Sequence, residues 1–180
     1  MFHPDTQFLI DHWTGLARAP QVRGGIPLRA TLQPERLGRR LPRAFMAQRE
    51  GGQTVLTLAG TALDTFWRRP LAGEALANLW TPASAELVEQ AVTQAILEAR
   101  PVVVAAFTSG EPALGLEMVV APLRGGSDRP DRILGLFAPA SALAPISGDA
   151  PLLTARLAVG AGAPGRPPLS LAVNDGRRIA

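Results

Sequence analysis

The sequence predicts an α+β fold in which a five-stranded antiparallel sheet is flanked by short helices, with a helical extension at the N-terminus. Two observations lead to this prediction. The strand-like runs 53–59 and 61–67 follow one another with Gly60 between them, which is typical of an antiparallel pair. A long helical pattern then ends at Arg100 and is followed by three further strand-like runs.

The length of 180 residues, 47% of them hydrophobic, suits one domain with extensions. We predict an N-terminal helical extension over 1–50 that packs on the core, the core itself over 51–143, and a Pro/Gly-rich C-terminal extension over 144–180. All 18 basic residues are arginine, but the net charge is only +3, so the high pI gives little support to nucleic-acid binding. The chain has no cysteine, which excludes disulfides, thiolate metal sites and cysteine nucleophiles.

The first helix is predicted to start at Asp5 or Thr6 and to end near Ala17. An isolated helix of this length is marginal, so its apolar stripe needs either the rest of the domain or another molecule. We predict that the stripe mediates self-association and that removing residues 1–20 changes the oligomeric state. The stripe comprises Phe8, Leu9, His12, Trp13 and Leu16.

A second helix is predicted to begin at Pro34, where a missing N–H costs nothing, and to bend at Pro42. Charged helix faces usually point to water, so a solvated basic face is the favoured interpretation. An acidic partner, nucleic acid and an anionic membrane are the alternatives. No aromatic residues lie between these arginines as base-stacking platforms, which disfavours nucleic acid. The basic face comprises Arg36, Arg39, Arg40 and Arg43.

The remaining elements follow from apolar periodicity. Leucines and Trp80 within 71–80 show near-helical spacing, and Thr81 and Pro82 have the residue types that cap and start a helix. The later strands are predicted at 102–108, 114–123 and 132–137. A further short strand is predicted at 169–173, followed by a turn at 174–176.

This order of elements resembles a PAS domain, and in detail the single-domain PAS family found mainly in alphaproteobacteria. The resemblance covers roughly residues 8–143 and departs from the family at Trp67, Arg69 and Pro70. It implies a module that senses a ligand or docks another protein, often as a dimer. The similar segments are 9–13, 26–29, the Leu-Pro-x-x-Phe run 41–45, the Leu-Ala-Gly-Thr step 58–61, 66–73, 79–80, 121–123 and 133–136.

The sequence gives no positive signal for catalytic or metal-binding chemistry. His3 and His12 are the two histidines, and both lie outside the predicted core. A core haem ligand, a histidine metal site and a Ser-His-Asp arrangement are therefore not indicated. We expect no enzyme activity, no catalytic residue, no metal and no cofactor.

In a PAS fold the inner sheet face and the short helices enclose an apolar space. The side chains predicted there either bind a small apolar ligand or simply fill the core, and dense packing favours the second interpretation. These pocket candidates are Leu58, Phe66, Trp67, Leu76, Leu79, Trp80, Phe107, Met118, Val120 and Leu136.

Together these features predict a cytoplasmic, non-catalytic PAS-type module in signal transduction. It is expected to act through contacts with a protein partner in trans, including a second copy of itself as a homodimer. The longest apolar run, 102–107, is too short to cross a bilayer. A small-molecule sensor that binds an apolar ligand in the core is the first alternative. Nucleic-acid binding through the basic face is the second.

Overall fold

The computed structural model has a six-stranded sheet at its centre, in the order β2-β1-β5-β4-β3-β6, with every neighbouring pair antiparallel. The strands are β1 (Ala44–Glu50), β2 (Gln53–Ala59), β3 (Val102–Thr108), β4 (Gly115–Leu123), β5 (Arg132–Pro139) and β6 (Leu153–Gly160). A separate two-residue pair joins β7 (Val173–Asn174) to β8 (Arg177–Arg178). The structure describes residues 1–20, 22–109, 112–126, 130–141, 143, 150–162, 173–174 and 177–178.

The helices lie on both faces of the sheet. The α-helices are α1 (Pro4–Ala17), α2 (Thr61–Trp67) and α3 (Pro82–Leu97), and the 3₁₀ segments are Arg23–Gly25, Arg29–Thr31, Pro34–Arg43 and Leu76–Leu79. We call Pro34–Arg43 the arginine segment. The inner face carries α2, α3 and Leu76–Leu79, whereas the outer face carries α1 and the arginine segment.

Strand alternation divides the core between these two faces. Along β3, Val102, Val104 and Ala106 belong to the inner cluster, while Val103 belongs to the outer cluster under α1. Because both faces are covered near the middle of the sheet, its central strands β4 and β5 are almost wholly buried. The α+β class and the antiparallel sheet are confirmed, with six strands in the main sheet instead of five.

The prediction of a strand at 61–67 is wrong, because these residues form helix α2. Leu63, Phe66 and Trp67 are buried at helical spacing, and that periodicity prevails over the local strand-like composition. The antiparallel partner of β2 is instead β1. Gly51 and Gly52, with φ of 55° and 90°, form the turn between the two strands.

The N-terminal predictions are partly confirmed. Helix α1 runs over Pro4–Ala17, and His3 is its cap, with Nδ1 accepting a hydrogen bond from the Asp5 N–H at 3.1 Å. The arginine segment begins at Pro34 as predicted, but it is a 3₁₀ helix. It is interrupted at Gly38, with φ 50° and ψ −126°, and not at Pro42. Glycine adopts such a positive φ readily, so the break falls there.

The later elements agree closely with the sequence prediction. Helix α3 begins at Pro82 behind Thr81, and strands β3, β4 and β5 lie within two residues of their predicted bounds. Strand β6 was not predicted and lies inside the segment 144–180. The predicted domain boundaries after residues 50 and 143 therefore separate strands of one sheet. The first lies between β1 and β2, and the second lies before β6. Of the predicted 169–176 strand and turn, only 173–174 are described, and the rest lie outside the described residues.

Candidate functional site

Seven of the ten pocket candidates come together on the inner face of the sheet. They are all buried in one cluster beneath α2 and α3, and they are Phe66, Trp67, Leu76, Leu79, Trp80, Met118 and Val120. The rings of Phe66 and Trp67 meet edge to face at 4.8 Å, and Trp67 lies 5.4 Å from Phe137. Phe45 extends this contact, with its ring 5.4 Å from that of Phe137. A continuous row of aromatic rings therefore occupies space between α2 and the sheet.

The two inner-face indoles differ in how their N–H groups are satisfied. Trp67 Nε1 donates a hydrogen bond of 3.0 Å to the carbonyl of Pro151, just before β6. Trp80 Nε1 is buried and has no hydrogen-bond partner among the described residues. A buried N–H normally finds an acceptor, so Trp80 is the one pocket candidate whose indole offers a donor for a ligand.

The other three pocket candidates lie on the outer face. Leu136 is buried in the cluster under α1. Leu58, on β2, is 56% exposed, and Phe107, on β3, is 41% exposed. Strand alternation explains Phe107, because it follows Val103 by an even number of residues and so shares its face. Leu58 lies two residues after the inner-face Leu56, but a β-bulge between them moves it to the outer face. The structure therefore does not bring these three side chains to the inner cluster.

The apolar stripe of α1 packs against the protein's own sheet. Leu9 and Trp13 are buried, and Trp13 Nε1 donates a 2.7 Å hydrogen bond to the carbonyl of Pro122 on β4. Phe8 and Leu16 are partly buried at the border of this contact. The sequence left open whether this helix packs on its own domain or on another molecule, and in the structure it packs on its own domain. Leu9 and Trp13 are not accessible to a second molecule while α1 is packed here.

Three arginines of the basic face surround the carboxylate of Asp5, at the first turn of α1. Arg43 Nη2 lies 2.7 Å from Oδ2, and Arg40 Nε lies 2.8 Å from Oδ1. Arg39 is more distant, at 3.7 Å, and its side chain is 79% exposed. We call these four residues the Asp5 cluster. The prediction of a solvated face is therefore wrong for Arg40 and Arg43, whose partner is a carboxylate of another element.

Asp5 stays ionised in this setting. Burial alone would raise the pKa of Asp5. The opposing effect is larger, and it comes from the hydrogen bond donated by Arg43 and from the positive charges of Arg40, Arg43 and Arg39. The net effect is a pKa below the ordinary value for aspartate. The carboxylate and its arginines thus form a charged link between α1 and the arginine segment.

Two aromatic contacts continue the link along α1. The guanidinium of Arg40 lies 3.8 Å from the ring centroid of Phe8, a cation–π contact. The ring of Phe8 stacks on His12 at 6.0 Å with an interplanar angle of 8°. Asp5, Phe8 and His12 are spaced by three and four residues, so they share one side of the helix. Sequence reasoning missed Asp5, although this spacing and an arginine-rich neighbouring segment were both visible.

On the side of α1 away from the arginine segment, the outer face of the sheet is exposed to solvent. Helix α1 contacts β4 and β5, whereas β3 and the edge strand β6 leave large apolar side chains in contact with solvent. Phe107 is 41% exposed, Leu157 is 58% exposed and Val159 is 40% exposed. Leu157 pairs with Ala105, two residues from Phe107, and Val159 pairs with Val103. We call Phe107, Leu157 and Val159 the outer-face patch.

The described residues hold neither a metal-binding cluster nor a helix able to cross a membrane. Within that part of the chain, no group of three or more histidine, aspartate or glutamate side chains is placed to hold a metal ion. None of its helices combines the length and apolar character that a membrane-crossing segment requires.

A family model described as PAS domain matches residues 1–138. The matched range begins before α1 and ends within β5, so it includes the elements on both faces of the sheet but not β6. A search of the curated proteins found no match.

Proposed function

This chain belongs to the PAS domain family, and on that premise we propose that it is a non-catalytic regulatory module that acts through contacts with other proteins. PAS domains serve as sensory and signal-transduction modules. Within that general role, we propose that the contact includes a second copy of the chain and that the protein works in the cytoplasm.

The outer-face patch is the observation that carries this proposal. Three large apolar side chains lie exposed side by side on β3 and β6, on a surface that α1 leaves uncovered. Contiguous exposed apolar surface is characteristic of protein–protein contacts. Arg156 lies beside the patch, with its guanidinium 5.4 Å from the Phe107 ring. An apolar centre with an arginine at its border has the composition of an interface.

A second copy is the partner that the geometry favours. The patch extends to β6, which is an edge strand of the described sheet. A two-fold axis near this edge would bring the same patch of both copies into one interface, which is the common arrangement of homodimers. The row of aromatic rings on the inner face supports the same conclusion, because side chains already occupy space that a core ligand would need.

A small-molecule sensor is the second candidate, and the buried indole N–H of Trp80 favours it. A ligand with an acceptor oxygen could satisfy this group, which has no partner in the part of the chain that the structure describes. Nucleic-acid binding has no comparable support, because Arg40 and Arg43 are paired with Asp5.

Native mass spectrometry of the freshly purified full chain tests the proposal against this second candidate. We expect the masses of one and two copies, with the two-copy species increasing with concentration and without added mass. A retained small molecule of defined mass, lost when Trp80 is replaced by phenylalanine, would instead assign the chain to the sensor class. A single-copy species at every concentration would contradict self-association.

A further inference from the structure

A cleft of about 270 Å³ opens on the outer face, on the opposite side of α1 from the outer-face patch. Its walls come from α1, the arginine segment and strands β1, β2 and β5. We call it the outer-face cleft. It is distinct from the inner-face cluster, which lies on the other side of the sheet. The lining residues used below are His12, Gln33, Leu37, Leu41, Met46 and Leu58.

The lining is apolar apart from His12 and Gln33. Leu37 is buried at its base, whereas Leu41 is 45% exposed and Leu58 is more than half exposed. Met46 lies directly across from Leu58 in the β1–β2 pairing, so the two form one apolar floor. An apolar concavity with a few polar groups at one end is the usual form of a small-molecule site.

The polar end of the cleft is next to an arginine whose charge is not neutralised. Arg36 Nε donates a 2.6 Å hydrogen bond to Oε1 of Gln33, which lines the cleft. Arg36 is exposed, and no carboxylate of the described residues forms an ion pair with it. Arg40 and Arg43 differ from it, because both are paired with Asp5.

His12 is the ionisable side chain in the lining, and it stays neutral near pH 7. Burial lowers the pKa of His12, and the nearby positive charge of Arg36 lowers it further. The imidazole therefore supplies a neutral donor or acceptor, and Arg36 supplies the positive charge at this end of the cleft. An apolar body joined to one anionic group would complement both features.

We propose that the outer-face cleft binds a small amphiphilic monocarboxylate, of the class of a medium-chain fatty acid. The alkyl chain lies over Leu37, Met46 and Leu58, and the carboxylate meets Arg36 and the imidazole of His12. A guanidinium can bind a carboxylate with two parallel hydrogen bonds, which suits this end of the cleft. A cleft of about 270 Å³ suits an alkyl chain of about six to ten carbons. The site is independent of the protein contact proposed above.

Isothermal titration calorimetry of the full chain with sodium octanoate, sodium hexanoate and 1-octanol tests both parts of the site. Octanoate is expected to bind with one-to-one saturation, and hexanoate about fifteenfold more weakly, since each buried methylene contributes roughly fourfold. The uncharged 1-octanol should bind about tenfold more weakly than octanoate, because it lacks the charge-assisted hydrogen bonds. No saturable octanoate binding, or equal affinity for 1-octanol, would overturn the proposal.

Matched variants locate the binding. Leu58→Asp should abolish octanoate binding, whereas Leu97→Asp, at a similarly exposed leucine on α3, should leave it unchanged. Arg36→Gln should weaken octanoate about tenfold but not 1-octanol, and Arg29→Gln, at an exposed arginine outside the cleft, should alter neither. Octanoate binding that survives both cleft variants would overturn the assignment. So would a change of oligomeric state in Leu58→Asp without any octanoate binding to the parent chain, because the cleft would then be a protein contact.

Discussion

Oδ2 of Asp5 lies 2.7 Å from Nη2 of Arg43, so the first turn of α1 is joined to the end of the arginine segment immediately before β1. Both side chains are largely buried, and Arg40 contacts the other carboxylate oxygen. The beginning of α1 is also tied to the sheet, since the His3 N–H donates a 3.0 Å hydrogen bond to Oε2 of Glu117 on β4. The Asp5 cluster therefore holds two outer-face elements in register over the sheet.

Replacing Asp5 should weaken this arrangement. Asp5→Asn leaves the guanidinium groups of Arg40 and Arg43 partly buried without their counter-charge, and such uncompensated charge is costly. We expect the free energy of unfolding to fall by about 2–4 kcal/mol in urea denaturation at pH 7. Asp11→Asn, at an exposed aspartate on the same helix, is the matched control and should change it by less than about 0.5 kcal/mol. Equal effects of the two substitutions would contradict the role of the cluster.

The contribution of Asp5 should also depend on pH with a definite sign. Its folded pKa lies below the unfolded value of about 3.9, so the folded protein holds the ionised form more strongly. The stabilisation is then fully present above about pH 5 and is lost as the pH falls through the folded pKa. The difference in unfolding free energy between the parent chain and Asp5→Asn should be constant from pH 7 to 5 and shrink below pH 4. A difference that grows on acidification would show that the sign is wrong.

Gly135 should not tolerate a side chain. A Cβ at this position of β5 would collide with the ring of Phe45, its partner on β1. Gly135→Ala is expected to destabilise the fold by about 3 kcal/mol, because a packed aromatic core cannot absorb the extra atom. Gly15→Ala is the matched control, since a Cβ there meets no atom within 4 Å. In helix α1 it should stabilise by about 0.5–1 kcal/mol, and thermal unfolding followed by circular dichroism distinguishes the two outcomes.

Glu89 links α3 to both strands of the β1–β2 hairpin. Its Oε2 accepts hydrogen bonds from Arg49 Nη1 at 2.6 Å and from Thr54 Oγ1 at 2.8 Å. Glu89→Ala leaves the buried hydroxyl of Thr54 and the guanidinium of Arg49 without this acceptor, so we expect a loss of about 2–3 kcal/mol in urea unfolding. Glu86→Ala, at an exposed position one turn earlier, should have little effect. A loss confined to Glu86→Ala, or none in either variant, would contradict the assigned role.

The sequence predicts best those parts of the fold in which apolar residues recur with a single periodicity, either that of a helix or that of a strand. Helix α3 and strands β3 and β5 have uninterrupted apolar patterns, so their bounds were found nearly to the residue. The run 61–67 carries strand-like composition and helical spacing together, and the long-range packing of Phe66 and Trp67 decides between them. Strand β6 lies among prolines and glycines, and pairing with the edge of β3 selects the strand conformation.

The candidate site is less predictable from the sequence, because it depends on contacts between distant residues. The basic face was visible, but the pairing of Arg43 with Asp5 joins positions 38 residues apart. Leu58 and Phe107 were assigned to the inner face, and the strand register places them on the outer one. Which apolar side chains remain exposed depends on where α1 lies across the sheet, and no local pattern specifies that position.

Sedimentation velocity of the parent chain over a hundredfold range of concentration tests the proposed protein contact most directly. The account predicts that the sedimentation coefficient rises with concentration toward that of a dimer. The double variant Phe107→Asp, Leu157→Asp should remain monomeric throughout, while Leu97→Asp, at a similarly exposed leucine on the inner-face helix α3, should associate like the parent chain. A parent chain that is monomeric at every concentration, or a double variant that associates equally well, would contradict self-association through the outer-face patch.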